Sequence, residues 1–494
     1  MQTPLILAID QGTSSTKALV FSQKGEALAK GSALLATHYL PNGFVEQDPE
    51  AIYQNVLDAV TQCLAVLREV GGNPDDILAC GISNQRETFM LWDANGKPVV
   101  QAMVWQCKRS VGVCEALKAR DLENLVKDRT GLTIDPYFSA TKLIWLVEQI
   151  PGLAERVGKG EIYFGTVDTW LLYRLTNGEV YATDHTNASR TLLFNLHTLS
   201  WDPALLEAFG LTGLQLPQIH PSSFVYGHTD CGGLLKNLVP IGALIGDSHA
   251  AAFGEGLFAP GMAKATLGTG CSLLMNVGST PVRSGHGMVT TVCWSMQGRT
   301  DFALEGIIVS CGATIEWLRQ SLRLFTDSQE TEALARSVPN NQGVYLVPAF
   351  SGLGAPHWEM ARKAKISGLT LGTSKAHIIR AALESIAYQV KDVIAAMEED
   401  LQLPLHTLVT DGGISANQFV MEFMAGLLGV PVHRMLMHDV SAMGAAWLSG
   451  ISTGIFVDLD AVKALPAPRV QTLPDADPVY QIYYEGWKKN LITP

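Results

Sequence analysis

The sequence predicts an α/β protein made of two similarly built halves with a cleft between them. The chain has 494 residues, too many for one ordinary hydrophobic core, so two domains are expected. Its 46 glycines suit many tight turns between strands and helices. One short text also occurs twice. Asp10-Gln-Gly-Thr-Ser-Ser and Thr266-Leu-Gly-Thr-Gly each end an apolar run in a Gly-Thr turn and leave along another apolar run, the mark of a repeated structural device. The halves are expected at residues 1–253 and 254–494. No Pro/Ser-rich linker separates them, so the joint is expected to be a strand-to-helix hinge.

The elements follow in order. LILAID, GTSSTKALVFS and GEALAKGSA are β-branched or apolar runs punctuated by Gly, Asp, Ser and Lys, which predicts a strand meander. A helix comes next, with Asp48 as N-cap and Pro49 in its first turn. Ile52, Val56, Ala59, Val60, Cys63, Leu64 and Leu67 recur at helical spacing. ILACGIS then reads as a buried strand returning to the sheet. In the second half MAKATLGTGCSLLMNV, VTTVCWSM and TDFALEGIIVS repeat the strand–turn–strand pattern.

Bulk properties exclude several classes. The composition, 47% apolar and 17% charged, is that of a globular chain, and its net charge of −12 argues against a nucleic-acid or anionic-membrane surface. A phosphorylated ligand remains compatible, because backbone N–H groups hold an anion locally. The N-terminus meets a charge at Asp10 without a basic region, unlike a secretory signal. Runs such as LVPIGALIG are far shorter than the roughly 20 residues of a membrane span. The eight cysteines show no CxxC spacing, which points to reduced thiols. Asn187-Ala-Ser reads as a chance glycosylation match, and the expected location is the cytoplasm.

The candidate chemistry begins at the two turns. Facing each other, they direct N–H groups and the hydroxyls of Thr13, Ser14, Ser15 and Thr269 at a polyphosphate, with Lys17 as a cationic partner. Either turn alone reads as an ordinary hairpin, and neither is a Walker A loop; only their pairing points to a phosphate. Asp10, at the end of a buried strand, needs a partner, and a magnesium ion carrying a nucleotide supplies one. VPIGALIGD ends in Asp247 before the helical text SHAAAFGEG. That carboxylate is placed either to take a proton from an attacking hydroxyl or to cap the helix. Thr410-Asp411-Gly412-Gly413-Ile-Ser-Ala-Asn417 follows the strand LHTLVTD. Its glycines either admit a flat adenine ring or make a plain strand–helix turn.

Two longer stretches carry a resemblance. Tyr137-Phe-Ser-Ala-Thr-Lys142-Leu-Ile-Trp145-Leu-Val-Glu-Gln149, and Ala364-Lys-Ile-Ser-Gly368-Leu followed by His377-Ile-Ile-Arg-Ala-Ala-Leu-Glu384, resemble both signatures of the FGGY family of carbohydrate kinases. With IDQGTSSTKA, ISNQRETF, FGTVDTWLLYRLT and DGGISAN, the likeness runs to about residue 455 and is nearest the glycerol-phosphorylating members. It implies two actin-like, ribonuclease-H-like domains closing on ATP, Mg2+ and a small polyol or sugar, usually in homodimers or homotetramers. By motif, Asp10 and Asp247 serve the metal. Thr13, Ser14, Ser15, Lys17, Gly268, Thr269, Gly312, Glu316, Gly412, Gly413 and Asn417 hold ATP. Arg86, Glu87, Trp105, Tyr137 and Asp247 hold the acceptor, with Asp247 as general base. As bare chemistry this is sound: Arg and Glu grip vicinal hydroxyls, while Trp and Tyr wall off the carbons.

Four positions depart from the glycerol-phosphorylating members. Ser248-His249 stands where they carry Gln-Gln, Ser272 where they carry Phe, and Lys17 where Arg is usual. Two large side chains become small hydroxyls, so the acceptor pocket is expected to be roomier and more polar. Glycerol is the default acceptor, with a four- or five-carbon polyol or ketose (erythritol, threitol, xylitol, xylulose, ribulose) as the alternative. Refilling by Phe89 or His249 would favour glycerol. His249 either reaches the acceptor's far end or is satisfied within its helix. The segment Cys231-Gly-Gly-Leu-Leu-Lys-Asn lacks the Arg of a fructose-bisphosphate loop, so that feedback inhibition is not expected. The rival class is an actin-like ATPase with no acceptor, which would not need the five acceptor residues together.

Overall fold

The computed structural model describes residues 4–475 and 477–492, so the first three residues of the N-terminal stretch lie outside the described residues. The apolar runs assemble into one sheet of thirteen strands. The first half supplies β1 (Leu5–Gln11), β2 (Ser15–Ser22), β3 (Ala27–Leu34), β4 (Ile77–Asn84), β5 (Ser223–Thr229) and β6 (Val239–Gly246). The second supplies β7 (Met262–Leu267), β8 (Cys271–Gly278), β9 (Val289–Met296), β10 (Arg299–Ile308), β11 (Thr407–Asp411), β12 (Val432–Met435) and β13 (Arg469–Thr472). Their order across the sheet is β13-β12-β11-β7-β8-β10-β9-β5-β6-β4-β1-β2-β3.

The predicted repetition is explicit in the pairing. β1, β2 and β3 form an antiparallel meander, and β4 then β6 add in parallel beside β1. In the second half β7, β8 and β10 pair antiparallel, and β11 then β12 add in parallel beside β7. Parallel neighbours require crossover connections, which the helices provide. The halves are thus two ribonuclease-H-like α/β units, joined edge to edge where Ser223 of β5 pairs with Met296 of β9.

Five helices bear on the site: α1 (Pro49–Glu69), α2 (Asp247–Gly254), α3 (Gly312–Gln320), α4 (Gln418–Leu428) and α5 (Val440–Ser452). Asp48 caps α1 as predicted, accepting from the Glu50 N–H at 2.9 Å. The seven apolar positions read from the sequence are all buried, in one cluster with Leu7, Ile9 and Val20 of the sheet. Each large aliphatic side chain so buried contributes about 1.5–3 kcal/mol.

A separate core lies between the halves. Ile6 and Ala8 from the first sheet half, Leu274 and Val409 from the second, Phe253 of α2 and Trp447 of α5 share one buried cluster. Although α5 comes from late in the chain, it packs on the early strands. Ser449 Oγ donates to the Cys80 carbonyl at 2.9 Å, and Ser452 Oγ to that of Gly242 at 2.6 Å. Gly444 lies so close to the Ala250 carbonyl that no Cβ would fit. The joint differs from the strand-to-helix hinge expected above. The chain leaves the first half along α2 and enters β7 through residues 255–261, a helix-to-strand passage. The reason is that α2 is needed to fill the core between the halves, so the break comes after it.

Among the described residues no helix is long and apolar enough to cross a membrane. All eight cysteines are buried and unpaired. The Asn187 amide is buried, donating to Asn84 Oδ1 at 3.0 Å and Asp184 Oδ1 at 2.9 Å, so the glycosylation-like text is inaccessible in the fold.

Candidate functional site

Corresponding strand ends of the two halves converge on one place. Asp10, near the end of β1, lies in register with Lys17 on β2 and Ser83 on β4. Ser83 Oγ donates to its carboxylate at 3.1 Å. Burial pushes the Asp10 carboxyl up to about 6; Lys17 opposes that shift and Asp247 adds to it. The following turn is closed by Gly12 N–H donating to the Ser15 carbonyl at 2.9 Å. Its Thr13 hydroxyl accepts from the Trp105 indole at 2.9 Å and donates to Gln85 at 3.1 Å. Ser14 is exposed and Ser15 half-buried. Lys17 is not a free cation at this turn: its Nζ lies 3.0 Å from Asp439, which also holds Lys30 at 2.7 Å.

In the second half Thr266, near the end of β7, lies in register with Ser272 and Asp411. The Gly312 N–H, at the start of α3, donates to the Gly268 carbonyl at 2.9 Å, and Ala313 N–H to Thr269 at 3.0 Å. A Cβ on Gly312 would come within 2.6 Å of the Gly268 carbonyl. One on Gly412, whose φ is +86°, would come within 2.5 Å of that of Leu267. The predicted nucleotide-side turns therefore crowd around one strand end, and Gly413 stands open beside them. Asn417 and Glu316 are engaged elsewhere. Asn417 caps α4, accepting from Val420 N–H at 3.2 Å, and Glu316 pairs with Arg319 at 2.5 Å.

A cavity of about 280 Å³ lies where these ends meet. Its wall contains Arg86, Glu87, Trp105, Tyr137, Asp247, Ser248 and Ser272, the full acceptor set expected from the sequence, together with Thr13. The Trp105 and Tyr137 rings meet edge to face at 5.5 Å, giving the apolar side. Burial pushes the Tyr137 phenol well above its usual range, so it remains a hydrogen-bond donor. Asp247 opens α2 directly after Gly246, which is the N-cap; the carboxylate is thus in the first turn and accepts from Ser248 N–H at 2.6 Å. Glu87 has a φ of +60°. That left-handed conformation costs a non-glycine residue roughly 1–2 kcal/mol and persists only where the surroundings hold it.

Those surroundings are a chain of buried charges. Arg86 and Glu87 do not pair with each other as neighbours on a surface would. Arg86 Nη1 lies 2.9 Å from Glu305 and its Nε 3.3 Å from Asp247, while Arg190 spans Glu87 and Glu305 at 2.5 Å each. Burial by itself would raise the Glu305 pKa, but Arg190 and Arg86 outweigh it and hold the carboxylate well below its usual range. For Glu87 burial wins over the same two arginines and its pKa is raised. Glu305 and Arg190 were missed in the sequence, as was Lys264, which is buried at the cavity wall. The available signal was a charge inside apolar text, Glu305 in FALEGIIVS and Lys264 in MAKATL, since a buried charge demands a partner; Arg190 gave none.

The two serines that depart from the family pattern are neighbours. Their hydroxyls lie 3.4 Å apart, and Ser272 Oγ lies 3.4 Å from Glu305 Oε1. Neither proposed filler takes the space. Phe89 and His249 are both fully buried behind the wall, the latter with Nε2 3.4 Å from Thr291 Oγ1. His249 therefore does not reach the acceptor's far end. A larger, open groove of about 950 Å³ around Glu50, Lys97 and Arg174 includes none of the site residues.

Comparison with known proteins agrees with this geometry. The N-terminal domain of the FGGY family of carbohydrate kinases matches residues 5–254, and its C-terminal domain matches 263–453. The chain is 44% identical to a glycerol kinase of Carboxydothermus hydrogenoformans over 99% of its length and 98% of that protein's. It is 46% identical to glycerol kinase 2 of Thermotoga maritima, covering 93% of this chain and 92% of that one. The structure of Plasmodium falciparum glycerol kinase with ADP superposes with a TM-score of 0.93 at 33% identity, covering 99% and 98% of the two chains. A xylulose kinase of Lactobacillus acidophilus, 21% identical with a TM-score of 0.87 over 99% and 97%, shares the fold. With paired turns at one cleft and both family domains matched in order, the chain belongs to the FGGY family of carbohydrate kinases and is an ATP-dependent kinase.

Proposed function

We propose that the protein transfers the γ-phosphoryl group of ATP to a primary hydroxyl of glycerol. The observation that carries this reading is the cavity that gathers Arg86, Glu87, Trp105, Tyr137 and Asp247 beside the Gly-Thr turns of both halves. An acceptor-independent ATPase has no use for that wall. Arg86 and Glu87 grip neighbouring hydroxyls, and the Trp105–Tyr137 edge covers the carbons. Asp247, oriented by Arg86 Nε at 3.3 Å, takes the proton from the attacking oxygen. Thr13, Ser14, Ser15, Gly268 and Thr269 surround the polyphosphate with donors, and Gly312, Gly412 and Gly413 flank the adenosine. Positioning and charge stabilisation supply most of such a reaction.

The metal assignment rests on chemistry. Asp10 is crowded by burial and by the charge of Asp247, and a divalent cation near both relieves each. Among the described residues no cluster of three acidic, His or Cys groups forms a cage. Mg2+ keeps several waters and is held mainly through substrate phosphates, so one or two carboxylates suffice for it. Asp10 and Asp247 would hold the ion, which would supply positive charge to neutralise the transferred group. The cytoplasm and a homodimeric or homotetrameric assembly complete this reading by family resemblance.

A second reading is favoured by the Ser248–Ser272–Glu305 contacts, which are long at 3.4 Å. A further ligand hydroxyl has room beside Ser248 and Ser272, both on the cavity wall, which suits a four- or five-carbon polyol or ketose. Measuring ADP release across three- to six-carbon polyols and ketoses separates the two. Glycerol with the highest kcat/KM supports the first reading; a longer acceptor at least tenfold better replaces it with the second.

A further inference from the structure

Glu305 sits on β10, in the second half, yet its two carboxylate oxygens face two arginines of the first. Oε1 accepts from Arg86 Nη1 at 2.9 Å, and Oε2 lies 2.5 Å from Arg190 Nη1. Arg190 continues to Glu87 at 2.5 Å. Arg86, Glu305, Arg190 and Glu87 thus alternate in sign along one chain, and each side chain is more than nine-tenths buried. Glu305 and Arg190 do not line the cavity, whereas Arg86 and Glu87 do. Arg86 and Arg190 would repel each other without the carboxylate between them. Without Glu305, Arg86 keeps only Asp247 at 3.3 Å and Arg190 only Glu87 at 2.5 Å, and a buried charge that loses a partner is costly.

The strand carrying Glu305 also reaches the nucleotide side. β10 pairs with β8 so that Glu305 lies opposite Leu274 and Ile308 opposite Cys271. β8 begins at the Gly268-Thr269 turn, and β10 leads into Gly312, whose N–H closes on that turn at 2.9 Å. One rigid pair of strands therefore holds the phosphate turn at its end and the acceptor-orienting carboxylate on its face.

We propose that Glu305 is a positioning residue for the acceptor: it reaches across the cleft to fix Arg86 directly, and Glu87 through Arg190, so the acceptor grip of the first half is complete only when the second half is docked. This rests on the acceptor site described above. It assigns Glu305 no contact with substrate.

The test uses the full-length enzyme and whichever acceptor the wild type turns over best, so a wrong acceptor assignment shows in the wild type and a wrong role for Glu305 only in the variants. Glu305→Gln keeps the shape and removes the charge; Glu305→Asp keeps the charge and shortens the reach. Acceptor KM is expected to rise at least tenfold in Glu305→Gln and at least threefold in Glu305→Asp. KM for ATP and the affinity for ADP should stay within about twofold, which also verifies the fold. With Arg86→Lys, the combined loss in kcat/KM should fall well short of the product of the separate losses, because both changes act through one guanidinium. Should Glu305→Gln fail to fold, Glu305→Asp alone decides. An unchanged acceptor KM in a folded variant, equal losses for acceptor and nucleotide, or full multiplicativity with Arg86→Lys would each overturn the proposal.

Discussion

Asp247 and Ser272 make opposite kinds of contribution to the same cavity. Asp247 is the sole carboxylate of the cavity wall paired with Arg86, and as the base it acts on the chemical step. Asp247→Asn should lower kcat by about 10²–10⁴ while binding of ATP is retained, as read by steady-state kinetics and ADP titration. Ser272 acts on fit. Ser272→Phe removes a hydroxyl 3.4 Å from both Ser248 and Glu305 and adds apolar wall. It should improve glycerol over a four-carbon acceptor by about 10-fold or more in relative kcat/KM, the usual scale for pocket contacts of this size. An unchanged ratio would mean that the serines do not touch the acceptor. At this scale the sequence was informative where motifs carried the residue and silent where a partner lay far away. Arg86 and Glu305 are 219 positions apart, and no periodicity or spacing links them. Glu305 inside the apolar text FALEGIIVS was the one local trace of the network; Arg86, Glu87 and Arg190 stand in polar text.

Among the elements, the strand-end turns carry the most stringent geometry. Gly312 packs its α-carbon against the Gly268 carbonyl, where a Cβ would come within 2.6 Å of backbone. Gly312→Ala should therefore push α3 away from the phosphate turn and raise KM for ATP about tenfold or more, with the acceptor KM nearly unchanged. The same variant should lose about 1–3 kcal/mol of stability, the range for overpacking; a thermal melt reads that loss. The strands, α1 and its Asp48 cap were legible because hydrophobic period and capping are local properties. The placement of α5 was not legible. Its text SAMGAAWLSG reads as an apolar helix, but nothing local says that its Gly444 face meets Ala250 of the other half. The same nonlocal packing explains why the chain leaves the first half along a helix, α2, and enters the second along a strand.

Across the whole molecule, a buried acidic pair ties the turn that carries Arg86 and Glu87 (the acceptor turn) to β6, the strand that ends before Asp247. Asp184 accepts from Asn187, which bonds Asn84 before the acceptor turn, and from Thr186, whose hydroxyl accepts from Gly246 N–H beside Asp247. Next to it Asp168 accepts from Thr166 and Thr183 at 2.5 and 2.6 Å. Burial, with the charge of Asp184 adding to it, pushes the Asp168 carboxyl from 3.8 up to about 7. Because the folded-state value lies above the unfolded one, its stabilising contribution is full below about pH 4. It is lost as pH rises toward 7. The loss amounts to at most about 4 kcal/mol. Asp168→Asn should thus flatten the fall in melting temperature between pH 5 and pH 8 relative to the wild type; parallel profiles would contradict the assignment. The repetition of the two halves was already visible in the paired Gly-Thr turns, since each turn had to close the same strand pair.

The central claim is that the cleft couples ATP cleavage to a polyol hydroxyl. The most direct measurement is the stoichiometry of ADP and phosphorylated acceptor formed from MgATP with and without glycerol, followed by phosphorus NMR. One glycerol phosphate is expected per ADP, with ADP formation at least about a hundredfold slower when no acceptor is present. ADP and inorganic phosphate appearing at the same rate with or without a polyol or sugar would contradict it.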